Sequence, residues 1–182
     1  RSSDLHGMKG TLVLSSAFSS VDEIVKHLET MGRGFADGLI ISPIYSDARI
    51  TTLLSRLQIP VVVVGTLPIG IDVDNVWVDS SAGVATAVGH LKDTGRKKIG
   101  FLNGPIATNP GKKRVAAFLT AMEANSLKLN STSVIQAEAF SPEAAYSAVK
   151  EHSKISNFDS IVCANDQLAA RSEERRVGKE CL

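Results

Sequence analysis

Four histidines are the first groups to test for chemistry, and they offer none. His6, His27, His90 and His152 stand far apart, without the spacing that gathers ligands around a metal ion. Cys163 and Cys181 make neither a zinc pattern nor a disulfide framework. Gly32–Gly38 (GRGFADG) has the glycines of a dinucleotide turn, but at the wrong spacing and ahead of a strand instead of behind one; it reads as a helix stop and a turn. Asp72–Asn75 (DVDN) is too short for a calcium loop. A Walker-type phosphate loop and a Gly-x-Ser-x-Gly elbow are both missing, and nothing forms a nucleophile–base pair. Asn130–Thr132 fits a glycosylation sequon, which matters only in a secreted protein. The basic clusters at Gly95–Lys98 and Gly111–Arg114 read as solvated element ends. Together these absences favour a binding protein over an enzyme, with no catalytic residue, no metal and no cofactor expected.

Bulk properties agree with that direction. The 182 residues are 43% apolar and can bury a sizeable core, and the formal charge of +1 implies no bulk polyanion partner. The longest apolar run, around IPVVVVG, is far short of a membrane span, and the N-terminal RSSDLHGMKG has no apolar stretch behind its charge. A reducing, cytoplasmic setting without a membrane partner is expected.

The elements that must position any site alternate along the chain. Strands are predicted at Thr11–Ser16, Gly38–Ser42, Pro60–Gly65, Asn75–Asp79, Lys97–Asn103, Ser133–Ala137 and Asp159–Ala164. Several are unbroken Val/Ile/Leu runs, which suit strands covered on both faces. Between them lie helical periods. Ser20 with Glu23 forms a capping box, and Gly32 and Gly34 stop the helix that follows. Ile50, Leu53, Leu54 and Leu57 share one face, as do Val84, Val88 and Leu91, and then Val115, Phe118, Leu119 and Met122. Ser141–Pro142 opens another helix as cap and first residue. Strand, helix, strand with short loops implies an α/β chain of parallel sheet flanked by helices. Ligands of such sheets sit at the carboxyl ends of the strands, so the loops after Ser42, Gly65, Asn103, Ala137 and Ala164 are the places to look.

Ala36–Pro43 (ADGLIISP), Val78–Pro105 (VDSSAGVATAVGHLKDTGRKKIGFLNGP), Arg114–Met122 (RVAAFLTAM), Ala139–Val149 (AFSPEAAYSAV) and Cys163–Ala170 (CANDQLAA) follow one another at specific distances. In this order they resemble the effector-binding core of the LacI/GalR family of bacterial transcription regulators, over roughly Thr11 to Ala170. The resemblance implies two Rossmann-like lobes of the periplasmic-binding-protein-like type I, incomplete here, with a cleft between them. It implies lobes at residues 1–95 and 96–170, with the chain crossing near Gly95–Lys97. Arg114 matches the family's cleft arginine, four residues before an aromatic. Its fork fits ligand hydroxyls or carboxylates, although by type alone it also fits a solvated arginine at a helix start. Asn165 matches an asparagine that hydrogen-bonds the effector. Phe140 matches an aromatic lying on the flat face of the ligand, and ordinary core packing accounts for it equally well from sequence. Asp166 is expected to cap the helix after Asn165, and Asp79 to cap the helix at Ser80.

Departures from the pattern are specific. Pro110 stands where the family often has a small hydroxylated residue, and Ala117 stands in place of a glycine. The family's first strand and helix, its helix-turn-helix and its hinge would precede Arg1, and the elements completing both lobes would follow Ala170. Residues 171–182 (RSEERRVGKECL) do not continue the family helix; they resemble the translation of a sequencing adapter and are expected to be non-native. The resemblance implies a small-molecule effector, operator DNA bound through an N-terminal domain outside this chain, a homodimer, and allosteric control of operator binding. The alternative is a periplasmic sugar-binding protein of a transport system, which shares the fold.

Overall fold

The computed structural model describes Thr11, Val13, Leu14, residues 20–66 and residues 70–172. The strand expected at Thr11–Ser16 falls largely outside the described residues, as does the tail beyond Ser172.

The first sheet contains β1 (Leu39–Ile41), β2 (Val61–Val64) and β3 (Asp74–Val76), all parallel, with Leu39 opposite Val61 and Val62 opposite Asp74. Two helices pack on it. α1 (Val21–Thr30) starts at Ser20, whose Oγ accepts the Glu23 N–H at 3.3 Å, and α2 (Ala48–Arg56) starts at Asp47, whose carboxylate accepts the Arg49 N–H at 2.8 Å. Ile24, Leu28, Ile50 and Leu54 from the helices close over Val61 and Val63. The unbroken apolar runs predict cover on both faces, and here the described residues cover one. Ile40, Val62 and Val64 point the other way, because neighbouring parallel strands in register share faces. Ile40 is 71% exposed and Val76 60%.

The second sheet runs β5 (Val134–Gln136), β4 (Ile99–Asn103), β6 (Ser160–Cys163), again parallel, and here the expectation of two covered faces holds. All five residues of central β4 are buried. Ile99 and Phe101 face α3 (Ser80–Asp93) and α4 (Asn109–Ala124). Leu102 faces the other way, into a cluster with Ala145 and Val149 of α5 (Pro142–Glu151) and Leu168 of α6 (Asp166–Ser172). Of the α4 face expected in the core, Leu119 is 41% exposed, while Phe118 is fully buried and stacks on Phe101 with centroids 4.9 Å apart and planes 11° from parallel.

The division expected at Gly95–Lys97 does not match this packing. It would leave α3 with the first sheet, yet Val84 and Val88 bury themselves against Ile99, Phe101, Val115, Phe118 and Met122. By its buried face α3 belongs with the second sheet, so the chain passes from one sheet to the other before Ser80. Gly95 marks only the end of a helix. Its φ of +87° lets its N–H reach the Lys92 carbonyl at 2.8 Å while the Arg96 N–H reaches that of Leu91 at 2.9 Å.

α4 ends with the same pair of bonds, but on a residue less suited to it. Ser126 N–H reaches Glu123 and Leu127 N–H reaches Met122, both at 2.9 Å, with Ser126 at φ +54°. A left-handed residue with a Cβ is strained by about 1–2 kcal/mol, partly offset by the greater backbone entropy that a glycine would lose on folding. Ser126→Gly is therefore expected to stabilise the chain by about 0.5–1 kcal/mol in urea unfolding.

Candidate ligand cleft

The loops at the carboxyl ends of the strands of both sheets line one cleft of about 1140 Å³. The β1–α2 loop contributes Ser42 and Tyr45, the β2–β3 loop Gly65 and Thr66, and the β3–α3 connection Trp77, Val78 and Ser80. From the second sheet come Thr108, Asn109, Pro110, Lys113 and Arg114 at the start of α4, Glu138 and Phe140 before α5, and Asn165 before α6. Arg114, Phe140 and Asn165, which follow three different strands, thus share one lining.

Arg114 is half-buried and makes no hydrogen bond or ion pair with any described residue. Burial pulls its guanidinium below the ordinary arginine pKa. Its Cζ stands 5.9 Å from the centre of the Phe140 ring, where the ring quadrupole favours a cation. That ring is held by its seat. A Cβ built on Gly104 would run into the Phe140 ring edge, so a larger residue here would have to displace the ring. Pro110 lines the cleft without a hydroxyl, and neighbouring Thr108 does not replace one: its Oγ1 donates to the Pro105 carbonyl at 2.6 Å and accepts the Gly111 N–H at 3.1 Å, capping α4.

The two capping expectations come out differently. The Asp79 carboxylate accepts the Ser81 and Ala82 N–H groups at 3.0 and 3.2 Å, so it starts α3 as expected and stays off the cleft lining. Asp166 does not cap α6. Asn165 does, through Oδ1 accepting the Leu168 N–H at 2.9 Å. Asp166 is the first helical residue and is exposed, a place where a carboxylate faces the positive helix end but cannot reach back to the cap position. The side-chain amide of Asn165 is therefore half committed, leaving its Nδ2 as the group to offer a ligand.

Contacts across the cleft join the two sheets. Asn109 donates its N–H to the Ile44 carbonyl at 2.7 Å, and its Oδ1 accepts the Ser46 hydroxyl at 2.7 Å. Lys113 Nζ lies 5.4 Å from the Trp77 ring centre. None of these pairs is visible in sequence, because each joins distant stretches of chain, 63 positions apart for Ser46 and Asn109. The one usable signal is Trp77, the chain's single tryptophan at a strand end.

The sequence profile described as periplasmic binding proteins and sugar binding domain of LacI family matches residues 6–173. The chain belongs to this family. It is 27% identical over 161 residues to the HTH-type transcriptional repressor PurR of Mannheimia succiniciproducens, covering 87% of this chain and 48% of that protein. Against the repressor of the same name from Escherichia coli O1:K1 it is 28% identical over 162 residues, covering 87% and 47%. The chain spans about half the length of these curated relatives. The crystal structure of the transcription regulator CcpA of Lactococcus lactis superposes with a TM-score of 0.76 over 92% of this chain and 61% of that one. At 23% identity that likeness concerns the fold: two parallel sheets flanked by helices, of the periplasmic-binding-protein-like type. Among the described residues no helix is long and apolar enough to cross a membrane.

The seating of Phe140 can be tested in this LacI-family chain without a ligand. Gly104→Ala forces a methyl group into the ring and is expected to destabilise by about 1–3 kcal/mol in urea unfolding. Adding Phe140→Ala should remove most of that extra cost. If Gly104→Ala is as costly in the Phe140→Ala background as in the otherwise unchanged chain, the ring is not what reserves the space.

Proposed function

We propose that the chain is the effector-binding part of a DNA-binding transcriptional repressor, in which a small molecule, sugar-like or related, occupies the cleft and allosterically changes operator binding. The observation that carries this reading is the convergence of Arg114, Phe140 and Asn165 on one lining between two sheets. Arg114 supplies a fork for ligand oxygens, Phe140 a flat apolar face, and Asn165 an Nδ2 donor. The relatives' description as helix-turn-helix repressors supports a regulator over the alternative, a periplasmic sugar-binding protein of a transport system. On this reading the protein acts in the cytoplasm as a homodimer, is no enzyme, and holds operator DNA through an N-terminal domain outside this chain. We place the two lobes on either side of Val78–Asp79, because α3 packs with the second sheet.

The mechanism follows from linkage. A ligand shifts the lobe arrangement only by as much as it binds one arrangement better than another. Residues from both lobes line the cleft, so lobe movement changes the ligand's contacts directly. Residues 171–182, the first two of which close α6, are read as non-native.

Arg114→Ala is expected to weaken the effector, once found by thermal-shift screening, by about 1.5–3 kcal/mol in calorimetry, the range for hydrogen bonds to a charged group. Unchanged affinity would remove Arg114 from the site.

A further inference from the structure

We propose that Asn75 is a specificity-determining residue of the cleft, a fixed acceptor that requires the ligand to bring an O–H or N–H donor to the wall formed by the first sheet. This rests on the effector reading above and adds a residue to it.

The side-chain amide of Asn75 has both its hydrogens engaged. Its Nδ2 donates to the Val63 carbonyl of β2 at 2.8 Å and to the Gly65 carbonyl just beyond that strand at 3.1 Å. Val63 is also the residue opposite Asn75 in the sheet, so the amide is anchored to the strand beside its own. These two bonds decide which way the amide faces. Turning it over would set Oδ1 against two carbonyl oxygens, acceptor on acceptor, and give up both bonds. Asn75 is half-buried on the cleft lining, yet its Oδ1 is not buried and accepts nothing from a described residue. What it offers a ligand is an acceptor that cannot be exchanged for a donor.

Other side-chain acceptors on the lining make no such demand. The hydroxyls of Ser42, Tyr45 and Thr66 both donate and accept, and they turn to suit what they meet. Glu138 and Gln167 are exposed, so their ends can swing away from an unsuitable group. The Oδ1 atoms of Asn109 and Asn165 are already taken, by the Ser46 hydroxyl and the Leu168 N–H. The two asparagines of opposite walls thus present opposite ends: Asn165 its Nδ2, Asn75 its Oδ1. An ether or carboxylate oxygen set against Asn75 would displace water from Oδ1 without replacing its hydrogen bond, and a group with a donor would replace it.

Side-chain amide signals of Asn75 and Asn165 in 1H–15N spectra of the 182-residue chain test this. Xylitol and malonamide are titrated separately, each beside a counterpart with every donor methylated, penta-O-methylxylitol and tetramethylmalonamide. One of the two donor probes is expected to shift both signals saturably, at a concentration about tenfold below that of its methylated counterpart, and which one does so separates an O–H ligand from an N–H one. Asn75→Ala, read on Asn165, should weaken that probe about tenfold and leave the methylated one unchanged. If the methylated probe instead gains in Asn75→Ala while the donor probe holds, Asn75 excludes bulk and the assignment is overturned. Should Asn75→Ala not fold, the unchanged chain decides. There, methylated probes that bind as well as their parents, or an Asn75 signal that stays still while that of Asn165 moves, overturn the role of Asn75 and leave the cleft a binding site. If none of the four probes moves either signal, the proposal fails and takes the effector reading with it.

Discussion

The packing of α3 against α4 is the constraint from which the rest of the arrangement follows. Val84 and Val88 lie against Val115, Phe118 and Met122, and Phe118 in turn stacks on Phe101 of the central strand. Once α3 is held there, the chain passes between the sheets through the segment from Val76 to Asp79. Val76, Trp77 and Val78 of that segment line the cleft. The connection between the two sheets and one wall of the cleft are thus the same stretch of chain. On the proposed effector reading, a ligand that touches this wall would also touch the passage between the sheets.

The same interface fixes the orientation of the cleft's charge. Arg114 sits one helical turn before Phe118, and Val115 beside it is buried, so α4 cannot roll without losing core contacts. The helix holds the guanidinium at the cleft, and the Gly104 gap seats Phe140 next to it. The other wall is tied to α4 by the two hydrogen bonds of Asn109 to Ile44 and Ser46.

The apolar runs at Val61–Val64 and Ile99–Leu102 make two strands legible in sequence, the first from four consecutive β-branched residues and the second from Ile, Phe and Leu around a glycine. Caps at Ser20, Asp79 and Ser141 are legible because each is a local bond, closed within three residues. The cap of α6 escapes the sequence for the same locality: Asn165 and Asp166 are both capping types, and a one-residue difference decides which reaches Leu168. The allegiance of α3 is not legible at all. Its apolar face shows that it packs on something, while which sheet it packs on depends on the partner's shape. The candidate site residues Arg114, Phe140 and Asn165 come from the family pattern, and the neighbours Tyr45, Asn109 and Lys113 need three dimensions.

Hydrogen exchange on the Phe118→Ala variant tests the shared-passage account most directly. Truncating a fully buried aromatic costs about 3–5 kcal/mol of local packing. If α3 belongs to the second sheet, the amides of Val84 and Val88 lose protection together with that of Phe101, while Val61 and Val63 in the first sheet keep theirs. Val84 and Val88 retaining protection, or Val61 and Val63 falling in step with Phe101, would contradict a passage between lobes at Val78–Asp79.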